Sequence, residues 1–208
     1  MATQKNDKKF RLNIKKAVKQ NLSEIKKLSE SKSNTCKIEL NGDKNIFLSV
    51  SSFNGQHYIH IRSWKDGKPT KDGISLTEQM WWEIQRYSSE LDDNILQLQQ
   101  GNQDVNYKSH LGKNWHICVQ SGYPFVNIRR YWTPPGTINI HPTKQGQILS
   151  FEMYNRLKDS FIDINKCIPD FDQFQPCYMQ IDHANVLGAL SCSTCNPTGY
   201  KDHTDLLV

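Results

Sequence analysis

Two five-residue segments define the chemistry open to this chain. Tyr58-Ile59-His60-Ile61-Arg62 and Phe125-Val126-Asn127-Ile128-Arg129 each alternate aliphatic residues with aromatic, polar and basic ones. Side chains alternate across a strand, so Tyr58, His60 and Arg62 face away from Ile59 and Ile61, and Phe125, Asn127 and Arg129 face away from Val126 and Ile128. A tryptophan follows each segment, at Trp64 and Trp132. Next come Pro69-Thr70-Lys71-Asp72-Gly73 in one copy and Pro142-Thr143-Lys144-Gln145-Gly146 in the other. Flat rings and cations on one surface are what unpaired bases and phosphates require, and base stacking on an aromatic is worth roughly 1–3 kcal/mol per base whatever the base. Phe53, Tyr58, Trp64, Phe125 and Trp132 are the candidate stacking surfaces. Arg62, Lys68, Lys71, Arg129, Arg130 and Lys144 are the candidate phosphate contacts, and His60 is a polar strand position on the same face. Any one of these aromatics, taken alone, reads better as core packing. The set does not, because its alternation with aliphatics puts it opposite the core.

The elements that must position these residues repeat in the same order. Ile46, Leu48 and Val50 alternate with Phe47, Ser49 and Ser51, and Trp115, Ile117 and Val119 alternate with His116, Cys118 and Gln120, which is strand periodicity. Ser75 stands three residues before Glu78, a capping-box spacing that predicts a helix with the stripe Trp81, Ile84, Leu91, Ile95 and Leu98. Ser150 is the expected cap of a second helix with the stripe Tyr154, Leu157, Phe161, Ile164 and Ile168. Such stripes suit helices that cover a sheet and also meet each other. Trp81, Trp82 and Trp115 are assigned to packing. Strands followed by a helix, twice over, predict an α+β protein of two tandem modules with antiparallel sheets. The expected organisation is a basic arm at 1–35, a first module at 36–98, a linker at 99–111, a second module at 112–168 and an extension of unassigned role at 169–208.

Composition excludes several classes. Hydrophobic residues make up 37% of the 208 and charged residues 23%, so a packed core is expected and global disorder is not. No apolar run reaches the roughly 20 residues of a membrane span, and the polar N-terminus lacks the apolar stretch of a signal peptide. A soluble, intracellular protein with mostly reduced cysteines is expected. Of the +5 formal charge, all comes from residues 1–35, where ten basic residues stand against Asp7, Glu24 and Glu30. Phe10, Ile14, Val18, Leu22 and Ile25 there follow helical spacing, and such an arm suits phosphate backbones, an acidic partner or simple solvation.

Catalytic signatures are missing. There is no Walker loop, no dinucleotide glycine fingerprint and no H-E-x-x-H, so an enzyme is not expected. Asp92, Asp93, Asp159 and Asp163 read as solvated helix charges, and His57 as a polar strand position. Cys192-Ser193-Thr194-Cys195, with Cys167, Cys177 and His183 upstream, has the ligand types of a structural zinc site, but its spacing fits no standard finger. The six cysteines are therefore read as plain thiols, with zinc as the alternative, and no metal or cofactor is assigned.

The first repeat resembles a known family. Ile59-His60-Ile61-Arg62-Ser63-Trp64, the turn Lys65 to Gly73, Ile74-Ser75-Leu76 and a tryptophan-containing helix resemble the transcriptional coactivator family of positive cofactor four, over residues 36–98. A looser resemblance over 112–168 retains Ile128-Arg129-Arg130-Tyr131-Trp132, Lys144 and Gly146. The resemblance implies, for each module, a curved antiparallel sheet of about four strands backed by one helix. Two copies in one chain imply an intramolecular pseudo-dimer, with a homodimer of whole chains the alternative. It also implies contacts to single-stranded or unwound DNA through Phe53, Arg62, Trp64, Lys68 and Lys71 in the first module and Arg129, Trp132 and Lys144 in the second. The chain departs from the family pattern in three places. One residue rather than two separates Arg62 from Trp64, Thr133 to His141, with Pro134-Pro135-Gly136, lengthens one hairpin, and the second glycine turn ends in Gln147-Ile148-Leu149-Ser150 rather than the usual pattern. The expected function is sequence-tolerant single-stranded DNA binding in transcription, replication or repair, in the nucleus. The alternatives are a coactivator-type protein-interaction module, with transcription or replication proteins as partners, and RNA binding.

Overall fold

In a computed structural model, the chain is described over residues 36–134, 137, 139–183 and 185–197. The basic arm with its expected helix, Pro135-Gly136 of the long hairpin and the end of the C-terminal extension lie outside the described residues. Two four-stranded antiparallel meanders follow one another. The first is β1 (Lys37–Asn41), β2 (Ile46–Phe53), β3 (Gln56–Lys65) and β4 (Lys68–Thr77). The second is β5 (Asn106–Gly112), β6 (Trp115–Gln120), β7 (Tyr123–Trp132) and β8 (His141–Leu149). Tight hairpins follow from the turn residues. Asn54 and Gly55 both adopt positive φ, as do Lys113 and Asn114, the conformation two-residue hairpins favour. The second module thus starts inside the stretch read as linker. β5 is an edge strand of mostly polar residues, and nothing but Tyr107 and Leu111 marks it as a strand.

Each sheet leads into a bent helix. α1 (Glu78–Arg86) and α2 (Ser88–Gln99) meet at Tyr87, and α3 (Phe151–Asp159) and α4 (Phe161–Lys166) meet at Ser160. Ser150 caps α3 as expected, its Oγ accepting from the Met153 amide at 3.2 Å. Ser75 does not cap α1. It is still in β4, and Thr77 takes the role, accepting from the Met80 amide at 3.3 Å. Beyond α4 the extension forms three short 3-10 turns and α5 (Val186–Ser191).

The aliphatic faces of both sheets and the helix stripes form one continuous core, with Ile59, Ile61, Ile117, Val126, Ile128, Trp81, Ile84, Tyr154 and Leu157 all fully buried. α1 packs on β3 and β4 of its own sheet and on β5 of the other, while α3 packs on β7 and β8 and on β1. The contacts are reciprocal. Trp81 Nε1 donates to Asn165 of α4 at 2.8 Å, and Tyr154 Oη donates to the Ser88 carbonyl at the start of α2 at 3.3 Å. Gln85 of α1 exchanges hydrogen bonds with Asn165, and at the matching positions Lys158 of α3 bonds both oxygens of Asp92 in α2, at 2.6 and 2.7 Å. Asp92 is therefore an interface residue, ion-paired across the helices although its side chain stays nearly half exposed. A surface that meets its own counterpart in this way is the signature of a twofold dimer. Here it lies within one chain, an intramolecular pseudo-dimer.

Four of the six cysteines are free, whereas Cys36, just before β1, and Cys167, at the end of α4, form a disulfide with Cα atoms 6.2 Å apart. The expectation of reduced cysteines fails for that pair because the reciprocal packing brings the start of one module to the end of the other. The shared core has a measurable consequence. Trp81→Ala should cost about 3–5 kcal/mol, as for large buried aromatics. Urea unfolding followed by circular dichroism should show a single transition for wild type and variant, since neither sheet has a private core.

Candidate nucleic-acid interface

Register places the two outer faces in correspondence. Arg62 pairs with Phe47 on one side and Gly73 on the other; Arg129 pairs with His116 and Gly146. Both arginines are held alike. Arg62 Nη1 donates to the Thr70 carbonyl and Arg129 Nη1 to the Thr143 carbonyl, each at 2.7 Å. Arg62 Nη2 also reaches Ser75 Oγ at 3.1 Å. Glycine is required opposite each. Gly73 has φ +144, and a Cβ there would run into the Ile61 carbonyl and come within 2.6 Å of the Arg62 Cα. A Cβ on Gly146 would meet the Ile128 carbonyl at 2.8 Å.

Facing Ser63 and Arg130, β4 and β8 each carry two extra residues. β3 itself stays regular, so alternation keeps the Trp64 ring on the outer face with Arg62, where it packs edge-on against Phe47 with centroids 5.9 Å apart. Lys37 lies over both rings, its Nζ 3.6 Å from the Trp64 centroid and 3.9 Å from that of Phe47. The Trp64 indole nitrogen is buried and has no acceptor among the described residues. In the second module the same place is held by Tyr131, not Trp132. Tyr131 packs against His116 at 4.8 Å, with Lys108 Nζ 5.0 Å from its ring. Pairing the two tryptophans, as residue type suggests, is therefore a misalignment by one position. Trp132 corresponds to Lys65, is half-exposed and stands beside His141 across the strand pair. Residue spacing carried the signal, since Arg-x-aromatic recurs as Arg62-Ser63-Trp64 and Arg129-Arg130-Tyr131. Phe47, Lys37 and Lys108 were not among the sequence candidates, although Phe47 and Lys37 line up on the polar side of their strands.

Of the remaining candidates, Phe53, Tyr58, His60 and Phe125 share the outer faces by strand alternation, whereas Arg130 and Trp132 alternate to the other side. Phe53 is exposed at the end of β2, and Tyr58 is half-buried, its hydroxyl on Gln56 at 2.9 Å. Phe125 is partly exposed on β7. His60 is fixed by Ser51 Oγ and Ser75 Oγ, both at 2.8 Å, and its burial, with Arg62 nearby, keeps its pKa below 6.5. Arg130 belongs with Ser63 on the opposite side of the strand from Arg129, and its guanidinium reaches Gln145 at 3.2 Å. β4 and β8, the last strand of each sheet, approach each other along a groove of about 730 Å3. Lys71 and Lys144, at equivalent positions, line it with Lys44, Arg62 and Trp115. Among the described residues, Lys68, Lys71 and Lys144 make no ion pair, so their charge is available to a ligand.

Residues 40–86 match the family described as Transcriptional Coactivator p15 (PC4). The match runs from the end of β1 to the end of α1 and spans the outer face from Phe47 to Lys71. The second module lies outside it, and its kinship to the first rests on the register given above. No curated protein matches the chain. The extension brings one further group together: Cys177, His183, Cys192 and Cys195, set apart on α1 and the β5–β6 turn.

Two predictions follow from this geometry. Gly73→Ala should lower the thermal midpoint more than Gly67→Ala. Gly67 has positive φ but nothing within 4 Å of a Cβ, so it carries only the backbone cost of about 1 kcal/mol. The second concerns pH. Burial, with His110 beside it, lowers the pKa of His116 to about 4, and burial also lowers that of His110. The folded state thus favours neutral imidazoles. Their contribution is complete above the unfolded pKa near 6.5 and is lost as pH falls toward 4. The urea midpoint should drop between pH 7 and pH 5, and His116→Phe, which copies Phe47, should lessen that drop.

Proposed function

We propose that this protein binds single-stranded or locally unwound DNA across the outer faces of its two sheets, with little sequence preference, and acts as a non-enzymatic coactivator-type factor in transcription, replication or repair. The observation that carries the reading is the repeated bracket of arginine, facing glycine and lysine-capped aromatic, at one register in both modules. It flanks a groove whose lysines make no ion pair among the described residues. The match of residues 40–86 to a transcriptional coactivator family supports it. Rings at Phe53 and Phe125 on the outer faces, and the exposed Trp132 at the hairpin end of β7, offer faces to bases, while Lys68, Lys71 and Lys144 offer charge to phosphates; both kinds of contact tolerate any sequence. The anchored Arg62 and Arg129 have spent some of their donors on Thr70 and Thr143, which orients the rest outward at little entropic cost. On this reading the protein works in the nucleus, and no described helix is long and apolar enough to cross a membrane.

Fluorescence anisotropy of a labelled single strand of ~20 nucleotides, its duplex and the matching RNA, across a salt series, tests the proposal. The DNA strand should bind more tightly than the duplex. Lys71→Ala with Lys144→Ala should make the dependence of log affinity on log salt shallower by about 1.4, at about 0.7 per phosphate contact. Phe53→Ala with Trp132→Ala, both at exposed positions, should weaken the strand by roughly 1–3 kcal/mol per lost stack without changing that slope. Equal and weak binding to strand and duplex, unaltered by either pair, would sink the reading; RNA binding as tight as DNA would make it a general single-strand binder.

A further inference from the structure

The C-terminal extension folds without an apolar core of its own. α5 has only six residues and none is buried, while Met179, Ile181, Val186 and Leu187 stand exposed. What converges instead is a set of four side chains from three short turns. Cys177 comes from the turn after Pro176, His183 from a 3-10 turn, and Cys192 and Cys195 from the C-x-x-C that follows α5. Their ligand atoms all lie within 4.8 Å of one another. The Cys177 sulfur is 3.3 Å from that of Cys195 and 3.7 Å from that of Cys192, yet none of the three is in a disulfide. Sulfurs at about 2.3 Å from a tetrahedral ion stand about 3.8 Å apart, so this is close to the spacing a metal demands.

Three further observations favour an ion. Both ring nitrogens of His183 are buried, and neither has a hydrogen-bond partner among the described residues. An imidazole shut away like that is costly unless one nitrogen is a ligand. The sulfurs are also supplied with donors suited to thiolates. Gln79 Nε2 of α1 reaches Cys177 Sγ at 3.1 Å, and the Cys195 amide reaches Cys192 Sγ at 3.5 Å. Such outer donors steady metal-bound thiolates. Finally, the backbone is committed to the approach: a side chain on Gly188 would run into the Asp182 carbonyl, so α5 can close on the turn carrying His183 only with glycine there.

We propose that Cys177, His183, Cys192 and Cys195 bind a structural zinc ion. Three sulfurs and one imidazole fill a tetrahedron, which suits zinc and leaves no open position for catalysis. Binding turns three thiols into thiolates and releases their protons to solvent. The ion fastens the extension to both modules at once. Gln79 belongs to α1 of the first, and the Thr194 carbonyl, inside the C-x-x-C, accepts from the Lys113 amide at the β5–β6 turn of the second at 2.9 Å. This site does not depend on the nucleic-acid reading.

The full chain, purified under reducing conditions, should carry about one zinc by elemental analysis. Exchange for cobalt should give the intense visible absorption of a tetrahedral thiolate site. Cys192→Ser with Cys195→Ser should lose both signals, whereas Cys118→Ser, which removes a thiol of the second sheet, should keep both. Chelation should open residues 175–197 to protease while the rest resists. The wild-type measurements stand even if the double variant misfolds. Zinc well below one per chain with no cobalt spectrum in reduced protein would overturn the site, as would equal metal in wild type and double variant.

Discussion

The whole molecule depends on the helices being shared. A four-stranded sheet with one bent helix is too small to bury much surface alone, and domains of that size are marginal. Here α1 and α3 each cover their own sheet and the first strand of the other, so both aliphatic faces close on a single core. Packing sets the strength of that union, and polar pairs set its register. Lys158 with Asp92, and Gln85 with Asn165, hold their geometry only when the helices are aligned as observed. A slip along the helix axis would break these part-buried pairs and leave Gln85, Asn165 and Lys158 partly shielded from water without their partners. Because the aliphatic faces turn inward together, the opposite faces are both free, and their edge strands β4 and β8 meet at one groove.

Carrying the two halves in one chain lets them diverge, as the halves of a homodimer cannot. Equivalent places on the outer faces hold Phe47 and His116, Trp64 and Tyr131, Ser49 and Cys118, Ser75 and Ile148. The frame around them does not change: arginine on a threonine carbonyl, glycine opposite, lysine over the ring. The first module presents a larger and more hydrophobic aromatic pair. The second offers a tyrosine whose hydroxyl, 3.8 Å from the Cys118 sulfur and shifted by burial to a pKa of about 12, stays protonated. One geometry thus carries two surface chemistries, and a strand crossing the groove would meet a different face on each side.

The strands and their faces were legible because amphipathic alternation is a local property, readable from Ile59 to Arg62 without knowledge of the fold. The helix stripes were legible for the same reason. What failed was mostly non-local. The exception is Trp132, paired with Trp64 by residue type although alternation from Arg129 puts Tyr131, two residues on, in that place. Ser75 satisfied a capping pattern, yet its hydroxyl is taken by His60 and Arg62 across the sheet, so the strand runs two residues further and Thr77 caps. β5 was hidden by Gly101-Asn102 and its own polarity, since an edge strand needs little hydrophobicity. Asp92 looked solvated because its cation sits on another helix. The four-ligand cluster had the right residue types, but their irregular spacing brings the ligand atoms within 4.8 Å of one another only after the chain has turned back on α1.

The two cross-links of the described chain fall on the same interface from opposite ends. The Cys36–Cys167 disulfide joins the start of the first module to the end of the second helix, and the proposed zinc site ties the extension to α1 and to the β5–β6 turn. Neither stiffens one module by itself. Each crosses from one module to the other, the first by a covalent bond and the second through Gln79 of α1 and Lys113 of the β5–β6 turn. Cations on a platform of fixed width meet phosphates without further loss of freedom, and preorganisation of that kind raises affinity without adding contacts. On the two proposed readings, an extension fastened to α1 and the β5–β6 turn would steady the packing of α1 against β5 without itself lining the groove that holds Lys71 and Lys144.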